Sequence, residues 1–167
     1  MGLGITGFIA AANSNDTFPK YLETGTYEAK SSVATLSNAM DVGDPSNVRR
    51  IQDLFSHDIQ TIREHIQSKS YTDKDCLNAI YEVYKQYNYT LDPHGAIAYN
   101  ACELAPQESL TIILETAHPI KFKEVVESVI PEAVPMPAHI DAQPDKESKR
   151  SMSSDFKSFK EYLLSNV

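Results

Sequence analysis

The chain has 167 residues, 41 % hydrophobic and 23 % charged, which is enough apolar content for one domain to bury a core without disulfide staples. Lys and Arg number 15 against 23 Asp and Glu, and the net charge of −8 excludes a protein whose affinity comes from neutralising nucleic-acid phosphates. Cys76 and Cys102 stand far apart with no CxxC or Cys/His cluster, which excludes zinc-ribbon and disulfide-scaffold readings and fits a reducing cytoplasm; no apolar run approaches the roughly 18 residues of a membrane span.

The opening Met-Gly-Leu-Gly-Ile lacks a basic region, so it does not read as a signal peptide; apolar residues begin within three positions of Met1, as in a chain joined in mid-fold. Ile5 to Ala12 predicts a strand buried on both faces that stops at the polar Asn13-Ser14-Asn15-Asp16. A short helix follows from Thr17 to about Leu22, with Gly25 as its stop, and then a loop over 26–36 with room for a brief extended piece at Ser32 to Leu36. Asp44 as cap, Pro45 at the first helical position and Val48, Ile51, Leu54 and Phe55 at helical spacing predict the next helix.

A further helix is predicted over Asp58 to Ile66. Another starts at the capping arrangement Thr72-Asp73-Lys74-Asp75, with Leu77, Ile80, Tyr81, Tyr84 and Tyr87 on its apolar side. Pro93-His94-Gly95-Ala96 opens a helix to about Leu104, and a strand of two or three residues has room near Leu91. Leu110 to Leu114, β-branched and apolar throughout, reads as the second clear strand, and Pro119 opens a helix through about Ile130. Prolines and a charged run make 131–152 a loop. Ser153 or Ser154 then caps a last helix with Phe156, Phe159, Tyr162 and Leu163 as its buried stripe. Helices outnumber strands so heavily that the pattern reads as part of a doubly wound sheet.

Two segments stand where α/β proteins bind ligands. Thr116-Ala117-His118-Pro119 follows a predicted strand, so Thr116 and His118 either meet a ligand or cap the helix behind them. Asp92-Pro93-His94-Gly95-Ala96 reads as a proton-handling Asp92/His94 pair beside a glycine that permits close approach, or as an Asp-Pro turn with a surface histidine. The stretch from Thr35 to Asn47, rich in hydrogen-bonding side chains without amphipathic period, suits a ligand-facing or interdomain segment, or a capped surface turn. His57 and His65 read as solvated, and the tyrosines from Tyr81 to Tyr89 as core and interface. There is no P-loop, Gly-x-Gly-x-x-Gly, Gly-x-Ser-x-Gly or HExxH, so neither a nucleotide, a serine triad nor a metal site is indicated.

Four segments in this order, Phe8-Ile9-Ala10-Ala11-Ala12-Asn13-Ser14-Asn15-Asp16, Ser32 to Asn47 with its Ser37-Asn38-Ala39-Met40-Asp41-Val42-Gly43 core, Leu91-Asp92-Pro93-His94-Gly95-Ala96, and Glu115-Thr116-Ala117-His118-Pro119-Ile120-Lys121-Phe122, closely resemble the threonine synthase family over nearly the whole chain. The resemblance implies an α/β fold: a partial three-layer parallel sheet with helices, belonging to pyridoxal-phosphate fold type II, the tryptophan-synthase-β-like class. It implies residues 1–130 as the C-terminal part of the cofactor-binding catalytic domain, 131–152 as a loop and 153–167 as a helix packing on the same domain. The implied reaction converts O-phosphohomoserine and water to L-threonine and phosphate. Thr116 matches the hydroxyl that hydrogen-bonds the pyridine nitrogen of pyridoxal phosphate and leaves that nitrogen largely unprotonated. Asp92 and His94 match a loop on the same side of the pocket, and Ser37, Asn38 and Asp41 match a segment lining the cleft. Gly7 stands where the family often has a basic residue.

The family's Schiff-base lysine and its Gly/Asn-rich phosphate loop have no counterpart in this sequence, so the isolated chain is expected to lack the activity and not to hold the cofactor alone, its partner being the N-terminal part of such an enzyme. The alternative is a non-catalytic binding domain that kept this half of the fold and uses an open sheet edge.

Overall fold

In the computed structural model, which describes residues 4–138 and 151–165, Phe8-Ile9-Ala10-Ala11-Ala12 forms β1 (Phe8–Ala12). It pairs in parallel with β2 (Ile66–Ser70), Phe8 opposite Ile66 and Ala12 opposite Ser70. The sequence predicts β1 three residues longer and misses β2, whose polar Ile-Gln-Ser-Lys-Ser directly continues α3 (Ile59–His65). That segment has little strand propensity; the ladder with β1 and a Ser68 hydroxyl donating to the Ala10 carbonyl (2.5 Å) hold it extended.

Strand alternation sorts the core into two layers. Ile9 and Ala11 face one apolar cluster and Ala10 the other, as the two-residue period of a strand requires. The Ala10 side is covered by Tyr21 and Leu22 of α1 (Thr17–Thr24), Val48 of α2 (Val48–Leu54) and Ile62 of α3. The opposite side is covered by α4 (Asp73–Tyr87), α5 (Pro93–Asn100) and the segment bearing Val126, Ile130 and Val134. Helices on both faces of a parallel sheet are the partial three-layer arrangement expected from the sequence.

The local signals hold unevenly. The capping box before α4 is present in both directions: Thr72 Oγ1 accepts from the Asp75 amide and an Asp75 carboxylate oxygen accepts from the Thr72 amide. The buried stripe of α4, however, is Cys76, Ala79, Ile80 and Val83, while Tyr81 and Tyr87 are exposed; the small residues at 76 and 79 let α5 approach more closely than a tyrosine stripe allows. α2 begins at Val48, three residues after Pro45, because Asp44 is engaged by the Tyr27 hydroxyl (2.6 Å) and Pro45 sits in the turn ahead of the helix. α5 continues as a 3-10 turn over Ala101–Leu104. The helix predicted from Pro119 is a 3-10 turn, Pro119–Phe122, running into α6 (Lys123–Glu127).

Leu110 to Leu114 is the largest correction. Among the described residues it is neither strand nor helix, nor is there a strand at Leu91 or Ser32 to Leu36, and Leu110 is 92 % exposed. Composition favours a strand there, but a strand needs a hydrogen-bonded neighbour, and within the described residues only β1 and β2 pair.

The chain divides into Met1–Pro135 and Met136–Val167. In the second unit α7 (Phe156–Ser165) forms where expected, capped by Asp155, whose carboxylate accepts from the Ser158 amide at 2.8 Å; Ser153 supports the cap by accepting from the Asp155 amide. Of its predicted stripe, Phe156, Phe159 and Leu163 are exposed and Tyr162 is half-buried. Most of the predicted loop 131–152 lies outside the described residues. No helix among the described residues is long and apolar enough to cross a membrane.

Candidate functional site

The carboxyl end of β1 runs into Asn13, which is 1 % exposed and whose side-chain amide donates to Thr35 Oγ1 (2.7 Å), Ser37 Oγ (3.1 Å) and Asp41 Oδ1 (2.8 Å). Asp41 is the hub of this network. Its Oδ1 also accepts from Asn15 Nδ2 and Thr35 Oγ1, and its Oδ2 from the Thr35 amide. A carboxylate with that many donors is committed to shaping the chain. Ser37 is equally buried, so of the three residues predicted in this segment, Ser37 and Asp41 are structural. Asn38, in the 3-10 turn Asn38–Met40, is exposed, and its side chain has no partner among the described residues.

Asp92 caps α5. It is fully buried; its Oδ1 accepts from the His94 amide (2.8 Å) and from His94 Nδ1 (2.7 Å), and its Oδ2 from the Gly95 amide (3.3 Å). The predicted surface histidine is therefore a buried one. His94 Nε2 accepts from the Ala39 amide at 3.2 Å, which joins the Asp92-His94 turn to the Ser37–Asp41 segment.

Thr116 is joined to the same place by Glu115, which the sequence reading passed over. Glu115 accepts from the Tyr89 hydroxyl (2.5 Å) and from the Asp92 amide (3.3 Å), and lies so close to Gly95 that a Cβ there would stand 2.9 Å from its Oε1. Gly95 does permit a close approach, but the approaching group is the Glu115 side chain. With Glu115 anchored, Thr116 is exposed and its hydroxyl has no partner among the described residues. His118 caps the following turn, Nδ1 accepting from the Ile120 amide at 3.1 Å, and the rings of Phe122 and His94 lie 4.9 Å apart. Asp92 and His94 thus stand at the N-terminus of α5, the Ala39 amide ties the segment of Ser37, Asn38 and Asp41 to it, and Glu115 ties that of Thr116. His57 and His65 are exposed and lie away from these contacts, as expected.

A cleft of about 430 Å³ runs beside β1, walled by Ala10, Ala12, Asn15, Met40, Val42 and Val48 among others. From the Thr35 to Asn47 segment, Met40, Val42, Pro45, Ser46 and Asn47 line it. A second hollow of about 370 Å³ lies at the carboxyl end of β2. In its lining Glu103 holds both Lys69 Nζ (2.6 Å) and the Tyr71 hydroxyl (2.7 Å), and burial together with Glu103 pushes the Tyr71 phenol above its ordinary range. Sequence reading missed this group because it missed β2.

A parallel strand pair covered by helices on both faces, with its polar loops gathered beyond one end, is part of an open α/β enzyme fold. The chain matches the family model described as threonine synthase, C-terminal, over residues 95–162. It is 40 % identical to the threonine synthase of Haemophilus influenzae over 98 % of this chain and 39 % of that protein, and 36 % identical to that of Escherichia coli over 99 % and 39 %. The crystal structure of Escherichia coli threonine synthase superposes with a TM-score of 0.81 at 34 % identity, covering 99 % of this chain and 39 % of the other. A PLP-bound threonine synthase from Brucella melitensis gives 0.83 at 27 % identity, covering 98 % and 41 %. Over nearly its whole length the chain is similar to threonine synthases, the family model it matches being that of their C-terminal part, and it spans about two-fifths of the length of these relatives.

Proposed function

We propose that this chain forms the C-terminal part of the catalytic domain of a pyridoxal-phosphate-dependent threonine synthase, which converts O-phosphohomoserine and water to L-threonine and phosphate. The observation that carries the reading is Thr116: an exposed hydroxyl without a partner among the described residues, on a segment whose preceding residue is locked by Tyr89 and the Asp92 amide. That hydroxyl is free to donate to the pyridine nitrogen of the cofactor, and Glu115 fixes where it stands. Bound there, pyridoxal phosphate supplies an electron sink beside the substrate's reacting carbons.

The fit extends to the ring nitrogen and no further. The amides at the start of α5 are taken by Asp92 and that of Ile120 by His118, so neither helix start is open to the cofactor phosphate. The phosphate cradle and the cofactor-linked lysine that moves the protons are assigned to the N-terminal remainder of such an enzyme. The exposed Leu110 to Leu114 run is then covered by that remainder. Free Cys76 and Cys102 support a reducing, cytoplasmic setting.

The test joins the N-terminal three-fifths of the Haemophilus influenzae relative to this chain and follows phosphate release from O-phosphohomoserine. The reading expects turnover, and expects Thr116→Val to lower kcat by about tenfold or more, the loss of one hydrogen bond to the cofactor ring. A joined protein that binds pyridoxal phosphate yet turns over equally well with Thr116→Val refutes the role of Thr116; one that folds and releases no phosphate refutes the reading as a whole.

A further inference from the structure

The partners of His94 decide the protonation of its ring. A backbone N–H can only donate, so Nε2, 3.2 Å from the Ala39 amide, is the bare nitrogen. The proton sits on Nδ1 and is given to Asp92 Oδ1 at 2.7 Å, so the ring is neutral and both of its nitrogens are committed inside the protein. Asp92 is also fully buried, with both oxygens accepting from the start of α5. The pair offers a substrate neither an uncommitted ring nitrogen nor an exposed carboxylate oxygen.

We infer that His94 is a positioning residue: a strut between α5 and the Ser37–Asp41 turn that acts through the Ala39 amide and holds Asn38 facing outward. The flanks of that turn are fastened elsewhere, Asp41 to Asn13 and Asn15, and the Leu36 amide to Asp73 Oδ1 at 3.0 Å. Apart from the turn's own backbone bonds, the hydrogen bond that joins residues 38–40 to the rest of the described chain is the one to His94, with Met40 packing on the apolar core beside it. The same imidazole lies against Phe122, six residues beyond Thr116, so one ring touches both segments that carry an unpartnered polar side chain. Assigning Asn38 to a ligand rests on the threonine synthase reading; the strut does not.

Two substitutions separate the two ends of the strut. Gln at 94 places a carbonyl oxygen near the position of Nε2 and keeps an acceptor for Ala39. Asn at 94 places its amide near the position of Nδ1 and keeps a donor for Asp92 but nothing for Ala39. In the 15N-labelled chain, the long-range proton–nitrogen spectrum of the wild type should show the His94 ring protonated on Nδ1 alone. The Ala39 amide should exchange about five- to tenfold faster in His94→Asn than in the wild type and within about twofold of it in His94→Gln, while the Ile62 and Ile80 amides keep their protection in both. A ring protonated on Nε2, or an Ala39 amide that exchanges equally fast in wild type and His94→Asn, overturns the strut. The spectrum is read on the wild type, so it decides the matter even where a variant fails to fold. In the joined enzyme Asn38→Ala should raise KM for O-phosphohomoserine about fivefold with Ala39 still protected. An unchanged KM removes Asn38 from the ligand, and an inactive joined enzyme removes it together with the reading on which it rests.

Discussion

Gly43 closes the Ser37-Asn38-Ala39-Met40-Asp41-Val42-Gly43 run, and the structure gives a reason for it that is steric. A Cβ at this position would stand 2.0 Å from the Lys30 carbonyl oxygen, 2.8 Å from the Lys30 carbonyl carbon and 3.0 Å from that of Ser31, all backbone atoms. Gly25 is the glycine with a positive φ, so at Gly43 alanine would meet no backbone strain of its own, only this contact. A carbon–oxygen contact rests at about 3.3 Å, so the Lys30 strand of chain must retreat by more than about 1 Å. Two hydrogen bonds span that gap, the Lys30 amide to the Gly43 carbonyl (3.0 Å) and the Gly43 amide to Ser32 Oγ (3.0 Å), and Thr17 Oγ1 holds the same carbonyl from α1 (2.8 Å), so a shift of Gly43 instead would strain a third. Losing two or three of them costs about 1–4 kcal/mol, offset by about 0.4–1 kcal/mol because alanine restricts the unfolded chain. Gly43→Ala should therefore destabilise by about 1–3 kcal/mol, read as a lower urea midpoint at unchanged slope in far-UV circular dichroism. A midpoint shift worth less than about 0.5 kcal/mol would refute the steric account.

Asp92→Ala removes a helix cap worth about 1 kcal/mol and strands the buried His94 Nδ1–H at a further cost of about 1–3 kcal/mol; Asp92→Asn keeps one acceptor oxygen and should lose less than half as much, so equal losses in urea unfolding would contradict the assignment. Burial, reinforced by the nearby charges of Asp73 and Asp92, pushes the Cys76 thiol up to about 12 from its ordinary 9.0. Because the folded value is the higher one, the stability tied to the neutral thiol is complete below pH 9 and is lost as pH climbs from 9 towards 12. Near pH 8 a thiol reagent should label Cys102 in the native chain and Cys76 only as fast as the chain unfolds; equal labelling rates would refute this.

What the sequence could reveal depended on whether a signal was local. The capping box at Thr72 and the Asp92-Pro93 helix start are written in four or five consecutive residues, and both form as read. β2 could not be read that way: Ile-Gln-Ser-Lys-Ser is a strand only because β1 lies beside it, a partner more than fifty residues away. Leu110 to Leu114 fails in the opposite direction, having the composition of a strand without a neighbour among the described residues. Tyr81, Tyr84 and Tyr87 share the helical spacing of the true stripe, and only the close packing of α4 on α5 selects Cys76, Ala79 and Ile80 over them.

The candidate site shows the same limit in sharper form. Residue type and resemblance placed Ser37, Asn38, Asp41, Asp92, His94 and Thr116 in one pocket, and the structure ties their three segments together through His94 and Glu115. What the sequence could not do was separate the side chains that meet a ligand from those that hold the others still. Hydrogen-bond saturation divides them: Ser37, Asp41, Asp92 and His94 have their partners inside the chain, while Asn38 and Thr116, the two proposed to meet a ligand, have none among the described residues. An Asp and a His two residues apart look like an acid–base pair until burial is known. Once both are inside, the cost of an unmet donor or acceptor ties them to the backbone, and the same two residue types become the frame of the site. On the proposed function, mutations in the first group should therefore act on stability and loop order, and mutations at Asn38 and Thr116 on turnover by the joined enzyme, although all six belong to the same motifs.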